Sequence, residues 1–363
     1  MIRVRVRHLA AVDPLRELAS TAQLMASVAR GRERGEGGAI QLATLRGEAR
    51  ALGRYQQLAR ISETPLGEPD PALSPANLVR RWTGGHATAY GDGILSISLI
   101  LPGPSAWLSA AESIPAEKLL NRHVRGLLRA FSALGAPAFY PGRDCVTVSA
   151  RPVAYVSCER DAFGVCLVQA VVGLSRPYRA EKNARPGPEE EAAGAQATFL
   201  AELVRGPADL GERVGDAVLS AYAARHALSL DVAPLSELES QAVAEREARL
   251  RLHGPREDSV EGMVGSGLLA TPIGGLEAFV ALEQSRTLRR VRILGDFIAD
   301  SAGVAELEEA LRMRPADWQS VDGAVERILG GPEHFTLGLR ERQTVTHAVL
   351  EAARRAAGPE AVA

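Results

Sequence analysis

The sequence predicts an α+β fold, in which strands and helices form separate groups along the chain. Apolar segments bounded by Gly, Pro or polar residues indicate strands at residues 39–45, 94–101 and 165–173. Segments with apolar residues every three or four positions indicate helices at residues 14–29 and 117–134. Groups of strands with helices placed between them are typical of layered α+β folds.

The composition limits the number of domains and the kinds of partner that the protein can have. The chain has 363 residues, which suggests roughly two domains, and 46% of them are hydrophobic, enough for a core. The formal net charge is −2, so the chain has no general attraction to nucleic acid or to an anionic membrane surface. No apolar segment approaches the ~20 residues that span a bilayer. We therefore expect neither nucleic acid nor membrane as a partner.

The cysteines indicate the compartment. Cys145, Cys158 and Cys166 show no Cys-x-x-Cys spacing, and the chain has no recognisable signal peptide. Reduced thiols in a cytoplasmic protein are expected. The seven histidines show no ligand spacing, so no metal site is predicted.

The remaining elements of the first domain follow from the same patterns. Residues 2–8 alternate apolar and basic side chains and predict an edge strand. A hairpin is expected from strands at 145–148 and 153–158, with Ser149-Ala150-Arg151 as its turn. Further segments are expected as loops at residues 62–75 and 179–196 and as helices at residues 199–203, 210–227 and 235–252.

A linker without periodicity, residues 254–267, divides the chain into domains at 1–254 and 268–363. The second domain predicts two strands followed by helices. Its elements are expected at residues 276–283, 288–294, 304–311, 318–329 and 345–357.

The segment from Arg80 to Leu99 carries the strongest signal for a binding site. It opens with Arg80-Arg81, continues through Thr83-Gly84-Gly85 and Ala87, and reaches a strand after Gly91 and Gly93. Glycines allow backbone N–H groups to approach an anion, and arginine offers a fork of donors for carboxylate or phosphate. The alternative is a glycine-rich hairpin with two solvated arginines.

Three motifs together resemble one family. Arg-Arg-x-Thr-Gly-Gly-x-Ala, followed by Gly-x-Gly-x-Leu and a strand, resembles the substrate loop of lipoate–protein ligase A. Gly53-Arg54-Tyr55-Gln56 resembles a segment near the acyl pocket of that family. The order strand, strand, Gly295-Asp296-Phe297, helix, helix resembles its C-terminal accessory domain.

This resemblance implies a biotin/lipoate-ligase-like mixed sheet with flanking helices, plus a small α+β C-terminal domain. It implies an enzyme that activates lipoate or octanoate with ATP and Mg²⁺, then attaches the acyl group to a lysine of a lipoyl carrier domain. The residues that it implies for binding substrate and adenylate are Arg54, Gln56, Arg80, Thr83, Gly84, Gly85, Ala87, Gly91 and Gly93.

The sequence departs from the family at the hairpin. The family pattern is Gly-Arg-Asn-Asp, then a few strand residues, then Gly-x-Lys-Ile-(Ser/Ala)-Gly. Here Gly142-Arg143-Asp144-Cys145 stands at the first part, Pro152 at the lysine, and Tyr155 at the glycine that follows it. Neither Lys118 nor Lys182 matches the motif. Similar replacements are Gln169-Ala170 for His-Gly and Tyr90 for a frequent histidine.

Three hypotheses follow. In the first, the chain is an ATP-dependent ligase in which Arg151 substitutes for the lysine as the catalytic donor; Arg151 as a solvated turn residue is the alternative, since adjacent strand residues point to opposite faces. In the second, the chain is a catalytically impaired homologue that binds an acyl ligand or a carrier domain. In the third, it is an ATP-independent octanoyltransferase, although no cysteine stands at Ala138-Phe139, where such enzymes carry the nucleophile.

Overall fold

The computed structural model describes residues 1–31, 37–58, 77–108, 115–178, 196–206, 209–254, 259–283 and 286–358. Loop 62–75, loop 179–196 except its last residue, and Lys182 lie outside these ranges. The α+β class is confirmed. The first domain has a large mixed sheet with flanking helices, and a smaller C-terminal module combines strands with helices. Among the described residues, the helices are too short or too polar to cross a bilayer.

An eight-stranded mixed sheet forms the centre of the first domain. The strands Ile2–Val12, Ala39–Leu45 and Leu228–Val232 run parallel to one another, and the other neighbouring strands pair antiparallel. From edge to edge the order is β11 (Leu228–Val232), β1 (Ile2–Val12), β2 (Ala39–Leu45), β6 (Ile94–Leu101), β10 (Cys166–Gly173), β9 (Arg151–Arg160), β8 (Cys145–Val148) and β7 (Ala138–Phe139).

The edge-strand prediction for residues 2–8 is wrong. Strand β1 has a partner on each side, because β11, which the sequence patterns do not predict, covers its outer edge. The basic side chains of β1 have acidic partners: Arg3 contacts Asp231 at 2.7 Å, and Arg5 contacts Glu239 at 2.6 Å. The alternation of apolar and basic residues therefore marks an interior strand near a sheet edge.

The two faces of this sheet differ in character. On one face, the apolar side chains of β6, β9 and β10 pack against helices α2 (Leu119–Ala133) and α4 (Leu210–His226). Helix α1 (Pro14–Gly31) covers the other face. Toward α1 the strands present polar residues among the apolar ones, namely Gln41, Ser96, Ser98, Ser157 and Gln169, all buried.

A small three-stranded sheet also lies on the α1 side and holds the glycine-rich segment. Its central strand β3 (Arg50–Leu52) pairs with β4 (Leu78–Arg80) and with β5 (Thr88–Ala89). The polar helix α5 (Glu237–His253) packs outside α1, with its N-terminus capped by Ser236. Short helix α3 (Leu200–Leu203) follows β10.

The C-terminal module combines a four-stranded antiparallel sheet with three helices. Strand β14 (Gly274–Leu282) pairs with β12 (Val264–Gly265), β13 (Leu269–Thr271) and β15 (Leu288–Gly295). Strands β16 (Ile298–Ala299) and β17 (Thr336–Leu337) pair with each other. The helices are α6 (Ser301–Leu311), α7 (Trp318–Leu329) and α8 (Gln343–Ala357).

The hairpin turn differs from its prediction by one residue. Ser149 and Ala150 both have positive φ, at 49° and 63°, as a two-residue turn between right-twisted strands requires. Arg151 is therefore the first residue of β9 and belongs to the strand. Arg151 pairs with Val148 and Pro152 with Thr147, and a β-bulge then shifts the register, so that Ala154 pairs with Val146 and Tyr155 with Cys145.

Candidate functional site

Arg81 is buried and stabilises the glycine-rich segment by hydrogen bonds. Its guanidinium donates to the Thr88 hydroxyl at 2.6 Å and to the His86 carbonyl at 2.7 Å. It also lies 4.4 Å from the ring centre of Tyr155, a cation–π contact. Burial lowers the pKa of Arg81 below its usual value. The alternative of two solvated arginines is therefore wrong for Arg81, because the loop folds around this side chain.

Arg80 joins the glycine-rich segment to the Gly53-Arg54-Tyr55-Gln56 turn. Its Nη1 lies 2.7 Å from the carbonyl oxygens of Gly53 and Gln56 and 3.2 Å from that of Arg54. The Gln56 side chain also supports the turn, since its Oε1 accepts from the Gly53 N–H at 2.8 Å. The structure thus brings Arg54, Gln56 and Arg80 together, with the Arg80 Nη1 directed at protein carbonyls.

Tyr155 fills the space against the Gly84-Gly85 turn. Its hydroxyl donates to the Gly84 carbonyl at 2.6 Å, and the ring is completely buried. A methyl group on Gly85 would stand 1.9 Å from that hydroxyl oxygen, so the ring and the turn are in direct contact. The Gly85 N–H donates to the Phe297 carbonyl at 2.8 Å. This amide is therefore not part of an open anion-binding nest.

Thr83 begins a chain of buried hydrogen bonds that crosses the sheet. The Ser157 hydroxyl donates to Thr83 at 2.7 Å, and the Thr83 hydroxyl donates to Gln169 Oε1 at 3.2 Å. Gln169 donates in turn to Tyr90 at 3.3 Å, and the Tyr90 hydroxyl donates to Glu17 at 2.5 Å. The side chains at positions 90 and 169, where the resemblance predicts histidines, thus bond to each other.

Glu17 ends this chain inside the protein. It is fully buried in α1 and accepts hydrogen bonds from Tyr90, Thr21, Ser96 and Gln41 at 2.5–3.2 Å. Burial raises the pKa of Glu17, and the four donors oppose that rise. A satisfied network of this kind rigidifies the layer between α1 and the sheet.

His86 and Ala87 bring the turn to the hairpin. His86 Nδ1 lies 2.9 Å from the Asp144 carboxylate, and both side chains are buried. Asp144 belongs to the Gly-Arg-Asp-Cys segment, so the structure brings this segment and the glycine-rich turn together. Ala87 is buried beside them.

Gly91 and Gly93 have packing roles. A methyl group on Gly91 would lie 1.9 Å from the Gly47 carbonyl oxygen. Gly93 has a φ of +73°, and a methyl group there would lie 2.6 Å from the Ser175 hydroxyl. These two glycines are required where chain segments approach closely, at the entry to β6.

The hairpin places Arg151 away from the turn. Arg151 pairs with Glu202 at 3.0 Å, and both side chains are more than 40% exposed. Arg151 lies four positions before Tyr155, which contacts Gly84; this is at most about 13 Å of extended chain, and a β-bulge lies between the two residues. Pro152 offers its carbonyl to the Thr198 N–H at 2.8 Å and has no donor of its own. The structure therefore does not bring Arg151 or Pro152 to the glycine-rich turn.

The C-terminal module contacts the same turn, which the sequence patterns did not predict. Tyr55 and Phe297 stack with ring centres 4.7 Å apart, and Gln56 Nε2 donates to Asp296 at 2.5 Å. The Gly295 N–H donates to the Tyr55 carbonyl at 2.9 Å. The only sequence signal for this contact is that Gly-Arg-Tyr-Gln and Gly-Asp-Phe both belong to one resemblance.

The cysteines do not form a nucleophilic site. All three are buried. Burial raises the pKa of Cys158 well above its usual value and that of Cys166 to about 12. Within the described ranges no cluster of three His, Cys, Asp or Glu residues could hold a metal ion.

Comparison with solved structures identifies the fold. The LipL1 protein of P. falciparum, solved in complex with lipoate, superposes with a TM-score of 0.62 at 11% identity, covering 96% of this chain and 99% of that one. A bipartite lipoate protein ligase from Thermoplasma acidophilum, studied with its E2 lipoyl domain, superposes with a TM-score of 0.51 at 12% identity, covering 72% of this chain and 100% of that one.

In sequence alone, neither a protein-family model nor a curated protein matches the chain. The structures show that the chain has the biotin/lipoate ligase fold, as the sequence motifs predict.

Proposed function

We propose that this protein is a lipoate-ligase-like protein that acts by binding an acyl ligand or a lipoyl carrier domain and does not adenylate an acid. One observation carries the proposal: the Tyr155 ring fills the space beside Gly84 and Gly85, and its hydroxyl bonds to the turn at 2.6 Å. In the ligase family this turn receives the activated acyl group. Here the protein's own side chain lies against it.

The missing donor supports the same proposal. Acyl adenylation requires a preorganised donor at the oxygens where negative charge develops, and removal of one such donor typically costs about 10²–10³ in rate. Pro152 has none, and the Arg151 guanidinium pairs with Glu202 instead. Tyr155 is a neutral phenol whose pKa burial raises, so it does not supply the missing charge.

ATP and Mg²⁺ do not fit the residues of this turn. The Gly85 N–H is used by Phe297, the Arg80 Nη1 by three carbonyls, and the Arg81 guanidinium by Thr88 and His86. A phosphate group would have to displace these internal partners. We therefore derive no phosphoryl step at this turn.

The second candidate is the ligase reaction itself, with lipoate or octanoate, ATP, Mg²⁺ and a carrier lysine. The similarity of fold over 96% of the chain to a protein solved with lipoate supports it. It requires Arg151 to leave Glu202 and to reach the turn, about 13 Å along β9. The third hypothesis, transfer without ATP through a cysteine, has no support from buried thiols of raised pKa.

One assay separates these candidates. Purified protein is mixed with ATP, Mg²⁺, octanoate or lipoate, and a lipoyl-domain acceptor; pyrophosphate and the mass of the acceptor are measured. We expect neither pyrophosphate nor an acylated acceptor, and we expect thermal stabilisation by the acyl ligand or by the acceptor. Pyrophosphate together with a modified acceptor would overturn the proposal in favour of the ligase.

One double variant tests whether Pro152 and Tyr155 cause the loss of adenylation. The double variant Pro152→Lys with Tyr155→Gly restores the donor and removes the ring. Detectable adenylation by this variant, with none by the wild type, would attribute the loss to these two positions.

A further inference from the structure

A groove crosses the C-terminal module between the edge of its sheet and helix α8. It encloses about 680 Å³, within the range of ligand cavities in proteins, and opens to solvent. None of its lining residues belongs to the glycine-rich segment or to the residues Gly295, Asp296 and Phe297 that contact the Gly53–Gln56 turn and Gly85. The lining residues are Ser266, Gly267, Leu268 and Leu269 on the sheet side and His347, Leu350, Glu351, Arg354 and Arg355 on α8.

The sheet edge beside this groove is interrupted. Strands β12 and β13 both pair with β14, and Ser266, Gly267 and Leu268 lie between them. Ser266 bonds back to β14, because its N–H donates to the Ala278 carbonyl at 2.8 Å and its hydroxyl accepts from the Ala278 N–H at 3.1 Å. Within the described part of the chain, the N–H groups of Gly267 and Leu268 donate to no acceptor. These two donors are therefore available for pairing with a ligand at the edge.

Two arginines give one end of the groove an excess of positive charge. Arg354 is held by Glu351, to which its Nε and Nη2 donate at 2.8 Å and 2.7 Å. Arg355 donates to the same carboxylate through Nε, at 2.8 Å. The hydrogen bonds from Arg354 and Arg355 lower the pKa of Glu351 to about 2, so its carboxylate stays charged at neutral pH. Two positive charges and one negative charge leave a positive charge for a ligand to balance.

Arg355 is the arginine with donors to spare. Its Nη1 and Nη2 have no acceptor among the residues that the structure describes. Gly267 has a φ of +78°, and a methyl group on it would lie 3.0 Å from Nη1 of Arg355. The Gly267 backbone and the guanidinium are thus in close contact. A carboxylate at this point is within reach of both, and a guanidinium can bind both of its oxygens.

Apolar side chains line the groove beyond this end. Leu268 is 39% exposed at the sheet edge, and Leu350 lines the groove from α8. His347 follows, with its ring edge-on to Trp318 at 5.0 Å between ring centres. His347 and Arg354 are seven residues apart, which is roughly 10 Å along a helix. About three residues of extended chain span that length.

We propose that this groove binds the carboxyl-terminal segment of a partner polypeptide, in extended conformation and with an apolar last residue. The terminal carboxylate accepts from Arg355 and from the Gly267 N–H. The last side chain packs against Leu268 and Leu350, and the preceding residues follow α8 toward His347. Charge complementarity determines this choice, because a chain terminus supplies one carboxylate beside backbone groups that can pair with a sheet edge.

Peptide arrays test the chemistry of the ligand. The full chain is applied to two arrays of the same short random peptides, one with free carboxyl termini and one with amidated termini. We expect binding to the first array only, and binders whose last residue is apolar. Equal binding to both arrays would overturn the proposal in favour of acidic side chains within a peptide. Absence of binders from the first array would overturn it altogether.

Nuclear magnetic resonance locates the bound peptide. The strongest binder from the first array is titrated into isotope-labelled protein. The amide proton resonances of Gly267 and Leu268 should move downfield, because their N–H groups gain acceptors. Binding without a change at these two amides would place the peptide elsewhere and overturn the proposal.

Variants separate the groove from non-specific binding. Arg355→Glu should weaken the peptide by about tenfold or more, since it reverses the charge that meets the carboxylate. Leu268→Ser should weaken it several-fold through the loss of apolar contact. Arg312→Glu is the matched control, because Arg312 is an exposed arginine of the same module that pairs with Glu309 outside the groove. Equal affinity in Arg355→Glu and Arg312→Glu would overturn the proposal, whatever the pyrophosphate assay reports.

Discussion

The Tyr155 hydroxyl donates a 2.6 Å hydrogen bond to the carbonyl oxygen of Gly84, and the ring supports the guanidinium of Arg81 from below. The ring is therefore held on two sides by the glycine-rich segment. Tyr155 is one of the largest fully buried side chains among the described residues. Its ring thus determines the shape of the space beside the turn.

The contact between Tyr155 and Gly85 predicts that a glycine-to-alanine substitution lowers stability more at Gly85 than at Gly142. Gly85→Ala should destabilise the protein by well over 1 kcal/mol, because Gly85 has a φ of +90° and a new methyl group would overlap the Tyr155 hydroxyl. Gly142→Ala is the control, with a φ of +85° and nothing within 4 Å of the new methyl group; its cost should be about 1 kcal/mol. Urea unfolding measures the loss of stability in both variants. Equal losses would show that the ring is not in contact with Gly85.

Arg151 provides the second prediction. Arg151→Ala should change the free energy of unfolding by less than about 1 kcal/mol, because its partner Glu202 is also solvent-exposed. The variant should also leave ligand-induced thermal stabilisation unchanged. If this variant instead greatly reduces adenylation or ligand-induced thermal stabilisation, Arg151 takes part in the site. Arg3→Ala, another exposed arginine in an ion pair, is the control for stability.

The sequence motifs predicted the fold correctly because they describe chain geometry. Gly91 and Gly93 stand where segments approach too closely for a side chain, and the Gly-Asp-Phe turn connects strands to helices in the C-terminal module. Such requirements persist when the chemistry changes. They explain how a chain with 11% identity to a solved structure shares its fold.

The direction of the arginine side chains was not predictable in this way. Arg80 and Arg81 are adjacent and equally basic in sequence, yet one contacts carbonyls of a neighbouring turn and the other is enclosed by its own loop. The decisive factor is the ring of Tyr155, which is 74 residues further along the chain. Similarly, the edge-strand error at residues 2–8 arose because β11 pairs across more than 200 residues.

Glu159 predicts a pH dependence of stability. It is buried in β9, accepts from the Ser301 N–H at 2.9 Å, and burial raises its pKa from 4.5 to about 7. Between these values the folded protein binds more protons than the unfolded chain, so the free energy of unfolding decreases as pH rises from about 4.5 to about 7. The full shift corresponds to at most roughly 3 kcal/mol.

Glu159→Gln should therefore flatten the stability profile over that window and stabilise the protein at pH 8 relative to the wild type. Glutamine keeps an acceptor for Ser301 and carries no charge to desolvate. Chemical denaturation at several pH values measures the effect. Glu117→Gln, at an exposed glutamate, should leave the profile unchanged. A profile for Glu159→Gln parallel to that of the wild type would show that Glu159 does not titrate in this range.

The stacked pair Tyr55 and Phe297 connects the two modules, since Tyr55 belongs to the first domain yet packs in the core of the C-terminal module. Phe297→Ala should cost about 3–5 kcal/mol, because it empties a buried site and removes an aromatic stack. It should also speed hydrogen exchange of the Gly85 amide, which donates to the Phe297 carbonyl at 2.8 Å.

Phe163→Ala is the matched control for this last variant, because Phe163 is 74% exposed and its loss should change stability by no more than about 0.5 kcal/mol. If Phe297→Ala lowers stability but leaves Gly85 exchange unchanged, the glycine-rich turn keeps its shape without the Phe297 ring. In that case the contacts of Tyr155 and Arg81 hold the turn independently of the aromatic stack. Faster exchange at Gly85 would instead show that the C-terminal module helps to hold the turn closed.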